Sequence, residues 1–124
     1  MTVVECYEKI GNYAEAKRRF SRDERIEKYL RKFLADSSFS MFMQEIEKPD
    51  YPNAFLHIHN LKGLYSNLAM DRVMGCTERL CEELRDGEPK GDLTVLVREL
   101  KECHGQIVER IETLLQESVA EESA

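Results

Sequence analysis

Two histidines lie in one short apolar segment, within the run Ala54-Phe55-Leu56-His57-Ile58-His59-Asn60-Leu61-Lys62-Gly63. A neutral imidazole is a nucleophile near pH 7, because one ring nitrogen can attack while the other holds a proton. Lys62 follows His59 by one helical turn, and its ammonium can balance the charge of a phosphoryl group on that ring. The pattern is compatible with phosphoryl chemistry at His59, and equally with an ordinary solvated histidine and lysine.

The two histidines are predicted to face in nearly opposite directions. Residues of a helix advance by about 100° each. His57 therefore falls on the apolar face with Ala54, Ile58, Leu61, Leu64, Tyr65 and Leu68. His59 falls on the other face, with Phe55, Lys62, Gly63 and Ser66 as neighbours. One regular helix cannot chelate a metal through this pair, because helical ligand pairs are three or four residues apart.

The roles expected of the remaining residues follow from their positions. His57 is predicted at the edge of the core with its ring nitrogens hydrogen-bonded, and His104 is predicted to be structural as well. Gly63 lies in mid-helix, where glycine costs about 1 kcal/mol relative to alanine. Close approach of another surface to His59 would explain that glycine. The plainer alternative is an ordinary solvated His59–Lys62 pair.

The composition limits the classes of protein that fit. The chain has 124 residues and a net charge of −6, which disfavours nucleic acid as a partner. No stretch approaches the roughly 18 apolar residues of a membrane span. No basic-then-apolar start resembles a signal peptide, so we expect a cytoplasmic protein with free thiols at its four cysteines, Cys6, Cys76, Cys81 and Cys103.

Helical periodicity predicts the elements that position these residues. A first helix is expected over residues 3–10, ended by Gly11-Asn12, and a second from a capping box of Ser21 and Glu24. A third follows Ser37-Ser38, with Phe39, Met43 and Ile46 inward, and stops before Pro49. Three more helices are then expected, over residues 50–68 with Asp50 as cap and Pro52 in the first turn, over 71–85, and from an Asp92 cap onward after the breaker at 86–91.

Short connections between amphipathic helices predict an all-α fold, an antiparallel up-and-down four-helix bundle with additional short N-terminal helices. We expect one domain over residues 1–124. Its bundle body is placed at about 50–118 and its N-terminal helices at 1–48. The acidic tail at 117–124 is expected to fray.

The segment around His59 resembles the histidine phosphotransfer (HPt) domain. That family has an A-H-x-L-K-G core that continues through an N-L-G-like turn, and His59, Leu61, Lys62 and Gly63 match it directly. Asn67 and Leu68 match the turn, and the likeness to the stand-alone bacterial type covers nearly the whole chain. Two positions depart from the pattern. Ile58 replaces the usual alanine, and Ala69 replaces a glycine whose left-handed conformation would strain an alanine.

The resemblance implies a phosphocarrier without ATP-dependent kinase activity of its own. His59 would accept a phosphoryl group from the aspartate of a receiver domain and pass it to another receiver. Lys62 would stabilise the phosphate charge, Gly63 would give clearance and Ser66 would supply a hydrogen bond, with Phe55 beside them on the partner-binding face. The partners would be response-regulator receivers and a hybrid histidine kinase, with magnesium on the receiver and no cofactor or metal on this chain.

Two other functions fit the same sequence. An HPt-like module that docks receiver or kinase domains without accepting phosphate shares every fold feature. A dimeric coiled-coil adaptor would rest on the 4-3 rhythm of the last helix, whose members are Leu93, Val97, Leu100, His104, Ile107, Ile111 and Leu114. An intramolecular bundle predicts the same rhythm, so we expect a monomer.

Overall fold

A computed structural model describes the backbone of residues 1–123 and the side chains of residues 1–119. Every regular element in this range is helical, so the predicted all-α class is confirmed. The α-helices are α1 (Val3–Ile10), α2 (Tyr13–Phe20), α3 (Asp23–Ala35), α4 (Ser38–Glu47), α5 (Tyr51–Asn67), α6 (Met74–Leu84) and α7 (Thr94–Ser123), and a 3₁₀ helix at Asp71–Val73 precedes α6.

The N-terminal region contains a helix that the sequence pattern does not predict. Helix α2 ends at Phe20, where Ser21 takes a φ of 71°, and α3 begins only after Arg22. The predicted capping box at Ser21 is therefore wrong, because an N-cap residue is extended rather than left-handed. The apolar periodicity of the sequence does not predict α2, because only Ala16 and Phe20 of its eight residues are buried.

Helix α4 has the predicted extent, but its predicted inward face is displaced. Phe42 is fully buried, together with two polar residues that contact α5, whereas the predicted row is only half-buried. The amide of Asn60 donates to Ser38 Oγ, and His57 pairs with Glu45. The row of Phe39, Met43 and Ile46 lies beside it, and its Phe39 ring stacks on a residue of α7.

The N-terminus of α5 is set as the sequence predicts. The Asp50 side chain accepts the backbone N–H of Asn53, and Pro52 lies in the first turn. Proline is tolerated there because the first backbone N–H groups of a helix have no intrahelical acceptor. These residues fix where α5 begins and therefore which of its side chains face the core.

The other end of α5 is held by the link between α1 and α2. The Tyr7 hydroxyl donates to the carbonyl of Leu68 at 2.9 Å, and the Asn12 N–H donates to the carbonyl of Ala69 at 2.9 Å. Ala69 has a φ of 55°, the left-handed conformation that was expected to strain an alanine at this turn. A Cβ at Gly11 would lie 1.9 Å from the Ala69 oxygen, so this close approach requires glycine.

The second half of the chain follows the predicted boundaries closely. The 3₁₀ helix and α6 fill the predicted 71–85 segment, and a breaker with Gly87 at a φ of 86° follows. Asp92 accepts the backbone N–H of Thr94 at 2.9 Å where α7 begins. Four members of the predicted stripe in the middle and C-terminal half of α7 are buried, namely Leu100, Ile107, Ile111 and Leu114, while His104 is half-buried.

Residues 117–123 continue α7, and the N-terminal amine of Met1 pairs with the Glu117 carboxylate. The fraying expected of this acidic tail stays a prediction. The side chains beyond residue 119 and the terminal Ala124 lie outside the described part of the chain.

One hydrophobic core contains residues from all the α-helices. Helix α5 packs against α4 and α6, and α7 packs against α6 and α1. The buried face of α5 therefore packs into the core between α4 and α6, and its opposite face is exposed to solvent.

Candidate functional site

Helix α5 buries one face and exposes the other, as the helical geometry predicts. Ala54, Ile58, Leu61 and Tyr65 are at most 1% exposed. His59 lies on the other side of the helix and is exposed to solvent. The imidazole is therefore accessible to a macromolecular partner without any movement of the core.

The Phe55 ring supports the His59 ring. Their centroids are 5.9 Å apart and the two planes are inclined by 25°, which is a stacked arrangement one turn apart on α5. Because Phe55 is half-buried against the core, it holds the imidazole over an apolar base while leaving its edge in water. The structure thus brings together two of the residues predicted for the partner-binding face.

Lys62 lies one turn beyond His59 and is half-buried, with its charge towards α6. Burial raises the pKa of the Cys81 thiol on α6, and the nearby Lys62 ammonium acts in the opposite direction on that pKa. No carboxylate among the described side chains forms an ion pair with Lys62. The charge of Lys62 is therefore not neutralised by any described carboxylate.

Gly63 and Ser66 complete the exposed face. A Cβ built at Gly63 meets no atom within 4 Å, so nothing in this chain's own packing requires a glycine there. Ser66 is exposed, and its carbonyl accepts a hydrogen bond from the Arg19 guanidinium of α2. The face around His59 is therefore open, with no side chain in the described part of the protein covering it.

His57 has the structural role that its place on the helix predicts. Its Nδ1 lies 3.0 Å from a carboxylate oxygen of Glu45 on α4 and 3.2 Å from the carbonyl of Asn53. Glu45 is only 5% exposed, so this pair gives a buried carboxylate a partner at one oxygen and joins α4 to α5. His57 and His59 therefore have separate roles and no shared ligand.

His104 is also structural. Its Nδ1 is hydrogen-bonded to the Tyr65 hydroxyl at 2.7 Å, and its ring stacks on Phe39 with centroids 3.9 Å apart and an angle of 10°. Burial lowers the pKa of His104 to about 4, which keeps the ring neutral at physiological pH. It fastens α7 to α4 and α5.

Sequence reasoning missed two features of the exposed face. Leu56 is 61% exposed and lies three residues before His59, about 60° away around the helix. Arg19 reaches the C-terminal end of the same face from α2. The angle of Leu56 was readable from the sequence, whereas the position of Arg19 depends on the unpredicted helix α2.

The cysteines are free, as expected, and Cys103 is the most accessible of the four. The described residues contain no group of three or more His, Cys, Asp or Glu side chains arranged to hold a metal ion. They also contain no helix that is both long enough and apolar enough to cross a bilayer.

A comparison with protein-family models, curated proteins and solved structures finds no match to this chain. The exposed His59 on α5 and the motif around it are therefore the features that bear on function.

Proposed function

We propose that this protein is a histidine-containing phosphocarrier of a two-component phosphorelay, with His59 as the phosphoacceptor. The observation that supports this proposal is the solvent-exposed His59 imidazole on α5, with an unpaired lysine one turn away and an open glycine beyond it. A stand-alone carrier needs only such a nucleophile and a counter-charge, because the partner receiver brings its own acidic pocket and magnesium ion.

The proposed step transfers a phosphoryl group between two side chains. The outer ring nitrogen of His59 attacks the phosphorus of a receiver's aspartyl phosphate, and an N–P bond forms as the P–O bond to the aspartate breaks. The aspartate leaves as a carboxylate with the bonding electrons, while the other ring nitrogen keeps its proton. The reverse step on a second receiver passes the group onward.

The neighbouring residues supply charge and access. Lys62 balances the negative charge of the phosphoryl group, and Ser66 offers a hydroxyl at the next turn. Gly63 leaves room for the receiver's backbone. Phe55 and the exposed Leu56 provide apolar surface on which a receiver docks.

The proposal includes an architecture and a setting. Helices α4–α7 would form the antiparallel four-helix body of an HPt-type bundle, so that α4 joins the body expected over residues 50–118, with α1–α3 against its side. The protein would be a cytoplasmic monomer whose partners are receiver domains and a hybrid histidine kinase. It would have no ATP-dependent kinase activity and no cofactor of its own.

Phosphotransfer can be tested directly with a phosphorylated receiver. We expect the wild-type chain to acquire an acid-labile, base-stable label, and His59→Gln to abolish it because the nucleophilic nitrogen is removed. Profiling against every receiver encoded in the same genome, with quantification of the labelled chain, would identify the donor.

His57→Gln is the matched control, since it removes a histidine two residues away that faces α4. This variant should keep its label even if its stability falls through loss of the Glu45 pair. Label that survives in His59→Gln would contradict the site. Receiver binding without any transfer would instead favour a docking module that carries no phosphate.

A further inference from the structure

A cleft lies where α1, the 3₁₀ helix and α7 meet, apart from the exposed face of α5. It has a volume of about 440 Å³ and is lined by Lys9, Arg72, Gln106, Glu109, Arg110 and Thr113. None of these residues belongs to the surface around His59. Three cationic side chains from three separate elements therefore converge at a place that the proposed phosphotransfer does not use.

The two arginines of this cleft are anchored to the backbone of α1. Arg72 donates one N–H to the carbonyl of Glu8 at 2.8 Å, and Arg110 donates one to the carbonyl of Glu5 at 2.9 Å. The Nε of Arg110 is buried and has no acceptor. Each guanidinium is thus held in place while part of its donor capacity remains unused.

The charges in the cleft are not balanced from within the described part of the chain. No carboxylate there forms an ion pair with Lys9, Arg72 or Arg110. Glu109 is the one acidic residue in the lining, and the nearby Glu5 carboxylate is bonded to Thr2. In a protein of net charge −6, this cleft is a local concentration of positive charge.

We propose that this cleft binds the phosphate group of a small phosphorylated ligand. A guanidinium offers two parallel N–H donors that match phosphate oxygens, and a lysine adds a mobile point charge. The guanidinium nitrogens of Arg72 and Arg110 that are not bonded to α1 would donate to the phosphate oxygens, and the Gln106 amide is a further donor. The cleft is larger than a lone phosphate, so it can also take the group that bears it.

The proposal is tested by titrating the ¹⁵N-labelled full chain with inorganic phosphate or pyrophosphate at constant ionic strength. Saturable NMR shifts are expected at the Arg110 Nε–H and at the backbone amides of Lys9 and Arg72. Arg72→Gln should weaken pyrophosphate binding at least about tenfold, as loss of a charge-assisted hydrogen bond does. Since Arg72 also bonds α1, Lys9→Gln provides a second variant whose side chain makes no hydrogen bond in the structure.

Matched controls separate a site from general screening. Lys101→Gln removes an α7 cation outside the cleft and should leave binding unchanged. Identical shifts with sodium chloride at the same ionic strength, or undiminished binding in both Lys9→Gln and Arg72→Gln, would overturn the proposal.

Vesicles distinguish the source of the phosphate group. Phosphatidylcholine vesicles with and without phosphatidic acid should be compared in sedimentation assays. If the protein binds only the vesicles that contain phosphatidic acid, and Lys9→Gln and Arg72→Gln weaken this binding, the ligand is a lipid headgroup. If it binds only the soluble phosphates, the ligand is a free phosphorylated molecule. Binding to both vesicle types that persists in the two variants would count against the cleft.

Discussion

The His104 imidazole packs against the rings of Phe39, Phe33 and Tyr65. Its Nδ1 is hydrogen-bonded to the Tyr65 hydroxyl. A second proton on the ring would place a charge in a largely apolar layer between α4, α5 and α7. Protonation therefore opposes folding at this position.

The depressed pKa of His104 predicts a loss of stability in mild acid. Its pKa is about 4 in the folded state, against 6.5 for an unperturbed histidine, so between these values the unfolded chain binds more protons. The free energy of unfolding should therefore fall as the pH drops from 6.5 to 4, by about 2 to 3 kcal/mol from this group. Urea unfolding at a series of pH values measures the slope.

His104→Leu is the control for that slope. It removes the titrating group, so the variant should be less stable at pH 7 but lose less stability on acidification than the wild type. An equal loss in both chains would assign the acid sensitivity to other groups.

A substitution at Gly63 distinguishes an effect on the stability of the free protein from an effect on its contact with a partner. Because a Cβ there meets nothing within 4 Å, Gly63→Ala should stabilise the free protein by about 0.5–1 kcal/mol through better helix propensity. If a receiver approaches this surface closely, the same methyl group should slow phosphotransfer. Thermal unfolding and transfer rates are the two measurements.

Gly105→Ala is the matched variant, at an open mid-helix position of α7. It should give a similar stabilisation with no effect on transfer. Equal transfer rates in Gly63→Ala and the wild type would show that the glycine gives no clearance to a partner.

Helix α5 is held by contacts at both of its ends. Asp50 and Pro52 set its start, and the hydroxyl of Tyr7 and the N–H of Asn12 hold the turn that follows it. The N-terminal helices therefore support the geometry of α5 although they lie far from it in sequence. Only the first of these anchors is local in the chain.

Gly11→Ala should disturb this distant anchor. The added methyl would overlap the Ala69 carbonyl, so the variant should lose at least about 2 kcal/mol of stability, as overpacked sites do. Equilibrium unfolding in urea checks this value, with Gly75→Ala as a control because its position is open. Little or no destabilisation would mean that the α1–α2 link can move away from Ala69.

The elements that could be predicted from the sequence are those with regular apolar spacing. Helices α5, α6 and α7 show it, because each buries a continuous stripe. Helix α2 has too few apolar residues to show it. The predicted face of α4 is displaced because the polar Ser38 and Glu45 are buried there through bonds to α5, which no local pattern reveals.

At the scale of the whole molecule, the sequence predicts those parts of the candidate site that lie within a single helix. The exposure of His59 follows from helical angles within α5 alone. The partner of His57 and the cation cleft of Lys9, Arg72 and Arg110 come from elements far apart in sequence, so only the tertiary arrangement shows them. The spacing of Leu100, Ile107 and Ile111 predicts an apolar stripe on α7, but only the tertiary arrangement shows what covers it. This stripe is buried within one chain and leaves no free coiled-coil seam in the described residues.

The anchoring of α5 at both ends affects the entropic penalty of binding a partner protein on this helix. A helix fixed at its cap and at its closing turn has little backbone freedom left to lose when another protein contacts it. The entropic penalty of docking would then fall mainly on a few rotamers, those of Leu56 and Lys62 among them. Such a surface would favour fast, reversible encounters, in which the chain is released with its fold unchanged.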